Sequence, residues 1–163
     1  MPQRMARFLI GIWLALLAAC TVQLAPTYDA ELVTGLDEAN IRALSLFAAL
    51  DGGSPQTAFE QHAMEYAAVI GSLDGLRQRA ETRPLPPLAE RLAQSRFFAD
   101  FCSDPTACLS ASPASLGRAL DVMRMMRRRH RSSDLPGDEV DLFKRDYETA
   151  IKQSLFVEQA LER

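Results

Sequence analysis

Histidine and cysteine are scarce in this sequence: His62 and His130 are the only histidines, and Cys20, Cys102 and Cys108 the only cysteines. There is no CxxCH for covalent haem, no HExxH for zinc hydrolysis, no G-x-S-x-G nucleophile elbow and no Gly-rich phosphate loop. A di-iron bundle needs Glu-x-x-His twice, and that tetrapeptide is absent although His62 lies beside Glu60 and Glu65. Acidic pairs such as Asp37-Glu38 and Asp138-Glu139 fall at helix starts or exposed positions, where capping accounts for them. No segment alternates apolar and polar residues as a half-buried strand does, and no internal repeat is present. A formal net charge of -3 excludes a histone-like protein that coats nucleic acid, and the basic residues are not interleaved with aromatics. No catalytic, cofactor-binding or metal-binding residue is therefore expected, and no nucleic-acid partner.

What is present suits one ordinary domain of 163 residues, 48% apolar and 24% charged. The first segment stands apart. Arg4 and Arg7 precede an uncharged run from Phe8 to Ala19, which ends in Leu17-Ala18-Ala19-Cys20. A positive start, an apolar stretch and small residues at its end make an export signal. As a helix, Phe8 to Ala19 spans roughly 18 Å, short of the ~30 Å hydrocarbon core. Leu17-Ala18-Ala19-Cys20 resembles the lipobox of bacterial lipoprotein signal peptides, and the resemblance ends at residue 21. It implies a diacylglyceryl group with palmitate-type chains on the Cys20 sulfur, and cleavage just before Cys20. Thr21, where Asp would signal retention, resembles the sorting pattern that favours the outer over the inner membrane in Gram-negative bacteria. Two other readings stay open: an uncleaved transmembrane anchor, since no charge occurs from Phe8 to Tyr28, and a simple secretory signal without lipid.

The implied organisation is a signal peptide over 1–19, a lipidated tether over 20–27 and a helical domain over 28–163. Without residues 1–19, 16 Lys and Arg stand against 21 Asp and Glu, so the body is mildly acidic. The tether Thr21–Thr27 reaches at most ~25 Å, which keeps the body close to the bilayer. Lipidation of Cys20 leaves Cys102 and Cys108 as a pair in an oxidising compartment. Asp104-Pro105 favours a turn between them. A disulfide closing this loop is expected to contribute about 2.4 kcal/mol by chain entropy. The spacing is not CxxC, and no histidine is near enough in sequence to complete a zinc site.

Along the body, apolar residues recur at gaps of three and four. Leu32, Leu36, Ala39, Ala43, Leu44, Phe47 and Leu50 mark a first helix, with Thr27 as a candidate cap and Gly52-Gly53 as its stop. Ser54-Pro55 begins a second, striped by Phe59, Ala63, Tyr66, Val69, Ile70, Leu73, Leu76 and Ala80, with Gly71 and Gly75 inside it. Pro84–Pro87 breaks it, and a shorter helix follows over Leu88–Phe101. Ser112-Pro113 opens another helix running to about Arg131. Asp138 caps the last, over Glu139–Leu161, striped by Val140, Phe143, Tyr147, Ala150, Ile151 and Leu155. Short loops between such helices imply an all-α antiparallel bundle of four long helices plus one short, with a disulfide-closed loop.

The segment Arg118–Arg131 carries six arginines and one aspartate. At 100° per residue, Arg124, Arg127, Arg128 and Arg131 share one sector, beside a sector of Ala119, Val122, Met123 and Met126. The arginine sector suits an anionic partner: lipid phosphate, a glycan or an acidic envelope protein. Alternatively it is a solvated face whose arginines pair with the acidic excess and suit the helix's negative end. Met123, Met126 and His130 can also lie together, and a ligand- or cofactor-holding bundle would use that face. The expected role is a membrane-anchored module for binding or structure, on the periplasmic face of the cell envelope.

Overall fold

The computed structural model describes residues 24–96, 100, 102 and 108–162. Cys20 and the signal segment lie outside the described residues, as do Asp104-Pro105 and Phe97, Phe98 and Phe101. The described chain is mostly helical. Helix α1 is Ala30–Ala49, α2 Phe59–Glu81, α3 Pro87–Ala93, α4 Ala111–Ser132 and α5 Gly137–Ala160. Two short strands, β1 (Gly53–Ser54) and β2 (Leu135–Pro136), complete it, with a 3-10 turn at Gln56–Ala58 leading into α2.

The apolar stripes become the core. Leu32, Leu36, Phe47, Tyr66, Leu73, Leu116, Leu120, Met123, Met126, Tyr147 and Ile151 are almost wholly buried. Leu46, outside the expected stripe, is buried, whereas Leu44 is half-buried. Helix α1 packs on α2 and α5, and α4 packs on the same two, so the helices close a ring around this core. Neighbours run in opposite directions. Asp29 before α1 meets Arg79 late in α2, Tyr66 of α2 meets His130 late in α4, and Ser115 early in α4 meets Ser154 late in α5.

Several starts differ from those expected. Asp29, not Thr27, caps α1: its Oδ1 accepts from the backbone N–H of Glu31 and of Leu32, both at 3.1 Å. The same carboxylate accepts from Arg79 at 2.7 and 3.0 Å, so this cap is also a tie to α2. Its pKa falls below the usual carboxylate range, chiefly through the Arg79 hydrogen bond. Ser54 joins β1, and Pro55 precedes the 3-10 turn. Helix α4 begins at Ala111 rather than after Ser112, and α5 at Gly137 with Asp138 in its first turn. On α5, Arg145 donates to the Asp141 carbonyl at 3.3 Å.

The strands correct the expectation of none. β1 and β2 pair antiparallel, Gly53 with Pro136 and Ser54 with Leu135. Two residues are too few to display a period of two, and this bridge forms because the loops that follow α1 and α4 meet at the same end of the bundle. It demands glycine. Gly53 has φ +102°, and a Cβ there would stand 2.9 Å from Gly137 N and Leu135 O. A Cβ on Gly137 would stand 2.9 Å from Gly52 C.

The opposite end is closed by charge. Arg83, just beyond α2, donates to both oxygens of Glu158 near the end of α5, at 2.7 and 2.5 Å. The Glu158 side chain is fully buried and that of Arg83 is 9% exposed. Arg83 also donates to the Thr27 carbonyl at 3.4 Å, holding the approach to α1 against both helices. Cys102 and Cys108 form the expected disulfide, with Cα atoms 6.4 Å apart, just before α4.

Glu158→Ala leaves the Arg83 guanidinium buried without its carboxylate. This is expected to cost about 3–5 kcal/mol in guanidinium unfolding, with Arg83→Met combined with Glu158→Leu losing much less. A loss below ~1 kcal/mol for the single change, the range of an exposed pair, would show that the pair does not hold this end.

Candidate anion-binding groove

Helix α4 buries Leu116, Ala119, Leu120, Val122, Met123, Met126 and His130. With that sector inward, the neighbouring arginines stand beside α2. Arg124, Arg127, Arg128 and Arg131, with Ile70 of α2, line an open groove of about 390 Å³. The four residues singled out from the sequence thus share one site.

Their electrostatic settings differ. Arg124 lies 3.6 Å from a carboxylate oxygen of Asp74 on α2 and 3.9 Å from one of Asp121 on its own helix. Arg129, the fifth arginine of the run, turns away and pairs with Glu139 of α5 at 2.8 Å. Arg118 donates to Gln153 of α5 at 2.5 Å. The side chains of Arg127, Arg128 and Arg131 have no ion-pair or hydrogen-bond partner among the described residues. The acidic excess therefore neutralises part of the run and leaves these cations facing the groove. They lie in the last two turns of α4, whose unpaired carbonyls offset some of the charge. Ile70, which lines the groove, and Asp74, which meets Arg124, are not revealed by α4 alone, because they arrive only through the packing of α2 on α4.

The Met123, Met126 and His130 face points into the core, where all three side chains are fully buried. The Pro55 carbonyl can only accept, so His130 Nε2–H donates to it at 3.2 Å, and Nδ1 accepts from the Tyr66 hydroxyl at 3.3 Å. Phe59 meets the His130 ring edge-on at 5.6 Å. Both ring nitrogens are thus engaged by the protein, and a metal there would have to displace Pro55 or Tyr66. Burial lowers the His130 pKa below its ordinary value, the Pro55 hydrogen bond partly opposes this, and nearby His62 adds a smaller push downward. Burial likewise pushes the Tyr66 hydroxyl up, so it stays a neutral donor. Among the described residues no group of three His, Cys, Asp or Glu is placed to hold a metal ion.

The neutral His130 makes stability depend on pH. Its folded-state pKa lies below the unfolded value of about 6.5, so below that pH the unfolded chain takes up a proton that the folded chain refuses. Stability is expected to fall as pH drops from 7.5 through 6.5 towards 5, read as a lower Tm, and His130→Gln should remove that part of the fall. Equal losses of Tm in both proteins would refute the assignment.

Comparison with protein-family models, with curated proteins and with solved structures finds no match for this chain.

Proposed function

We propose that this protein is a lipid-anchored lipoprotein of the cell envelope whose helical body faces the periplasm and binds an anionic partner through Arg124, Arg127, Arg128 and Arg131. The observation that carries the reading is the gathering of Arg127, Arg128 and Arg131, without carboxylate partners among the described residues, around one groove. Guanidinium groups in water gain most from multivalent oxyanions, which they grip with paired N–H donors. The anchor is supported by the lipobox-like Leu17-Ala18-Ala19-Cys20, and Thr21 favours the outer membrane. In this reading Cys20 carries the lipid, and residues 28–163 form four long helices and a short one presenting the groove. Among the described residues no helix is long and apolar enough to cross a membrane. The role is recognition or structure at a membrane surface rather than turnover, with an anionic lipid, a glycan or an acidic envelope protein as the partner class.

Intact mass of the membrane-extracted protein tests the anchor. The expected mass is that of Cys20–Arg163 plus acyl chains, less two hydrogens for the disulfide, whereas a mass beginning at Met1 would replace the lipid with an uncleaved anchor. Replacing Arg124, Arg127, Arg128 and Arg131 together by Gln is expected to abolish the crosslinked partner in whole membranes. An unchanged crosslinking pattern would refute the binding role of this face.

A further inference from the structure

We infer that the groove is a phosphate-class oxyanion site centred on Arg127, Arg128 and Arg131, at the end of the bundle remote from the tether. The inference rests on the reading that this face binds an anion, and it adds the ligand's chemistry and its place. The first argument is charge balance along the groove. Its Arg124 end is already answered by Asp74 and Asp121 at 3.6 and 3.9 Å. The unanswered charge lies at Arg127, Arg128 and Arg131, spread over one helical turn, about 6 Å of axis. A single carboxylate carries one charge and would leave most of that excess standing. A phosphate monoester or pyrophosphate carries two or more charges on a compact set of oxygens and can accept from several guanidinium forks at once. Ile70 gives the groove an apolar wall, so a volume of about 390 Å³ admits an organic group beside the phosphate.

The second argument is topology. Helix α4 starts beside the disulfide and the Arg83–Glu158 lock, the end at which Thr27 enters. Arg131 lies twenty residues further on, roughly 30 Å along the axis. There Gln56 Nε2 donates to its carbonyl at 3.0 Å, and Asp134 Oδ1 accepts from Gln56 N at 2.8 Å. The site thus stands on a braced corner of the fold, roughly 30 Å along α4 from the end at which Thr27 enters. A phosphate reaches it from a free ligand or from a lipid headgroup, and the chemistry is shared by both.

The test uses the full chain in neutral detergent, titrated with pyrophosphate at constant ionic strength and followed by calorimetry. Saturable binding is expected, weakened at least tenfold by Arg128→Gln or Arg131→Gln and lost in the triple Gln variant at 127, 128 and 131. Arg118→Gln, on the same helix but directed at α5, should bind as the parent does. Near-UV circular dichroism of each variant checks that the fold is retained. Binding no tighter than that of sulfate or acetate, or unchanged in the triple variant, would overturn the inference. Displacement of pyrophosphate by phosphatidic acid vesicles supports the site with a headgroup as its source, and displacement only by soluble phosphate esters supports it with a free ligand. A crosslinked partner lost on Arg→Gln substitution, with no pyrophosphate binding, would sink the phosphate assignment alone. Pyrophosphate binding with an unchanged partner would keep the site and sink the partner role.

Discussion

Helix α4 packs against both α2 and α5, and the burial of its apolar sector decides where every charged residue on it can stand. Each Leu or Met removed from water contributes roughly 1.5–3 kcal/mol, and seven α4 side chains from Leu116 to His130 are buried together. An exposed ion pair contributes less than about 1 kcal/mol. Packing therefore outweighs the preference of any one arginine, and the arginines occupy what burial leaves. That turns Arg118 and Arg129 towards α5, where Gln153 and Glu139 meet them. It turns Arg124, Arg127, Arg128 and Arg131 towards α2, where Asp74 answers Arg124.

The two ends of the bundle are closed by different physics. At the end where Thr27 enters, Arg83 and Glu158 are taken out of water together, and Asp29 and Glu31 meet Arg79 in a half-exposed network. Those contacts are ionic, and the buried pair stands or falls as a unit. At the far end the described residues form no buried ion pair. Gly52, Gly53 and Gly137 let two loops approach to van der Waals contact, and a neutral His130 spans from Tyr66 to Pro55. This far corner carries the groove, so the charges of Arg127, Arg128 and Arg131 rest on a scaffold held by backbone contact and hydrogen bonds. The core can therefore respond to pH through His130.

Much of this was legible in the chain. The stripes from Leu32 to Leu50, Phe59 to Ala80 and Val140 to Ile151 lie where their period places them, because a helix has one geometry and its apolar residues can only line one side. The grouping of Arg124, Arg127, Arg128 and Arg131 follows from the same period, as does the inward turn of Met123 and Met126. The pairing of Cys102 with Cys108 was equally readable, since two nearby cysteines need only a short loop. The misses share a cause. Asp29 displaced Thr27 as the cap because Arg79, fifty residues away, adds its own bond to the carboxylate. Glu158 lies in the core, where a carboxylate reads as surface, because Arg83 reaches it across the bundle end. Leu46, by contrast, took the buried place expected of Leu44 because it lies three residues after Ala43 and four before Leu50, on the helical period, whereas Leu44 falls about 100° further round the helix from Ala43.

By itself the sequence determined the helical class, the apolar sectors, the cysteine pair and the cationic sector of one helix, since each is a local property of spacing or composition. Only the tertiary structure decided which arginines are neutralised, that Ile70 walls the groove, that His130 is neutral and doubly hydrogen-bonded, and that Gly53 and Gly137 must be glycine. Those outcomes depend on which residues from distant segments arrive within a few ångströms of one another. Helical periodicity sets the face a residue occupies but not its neighbour across the interface, because the neighbour is chosen by the packing of the whole ring.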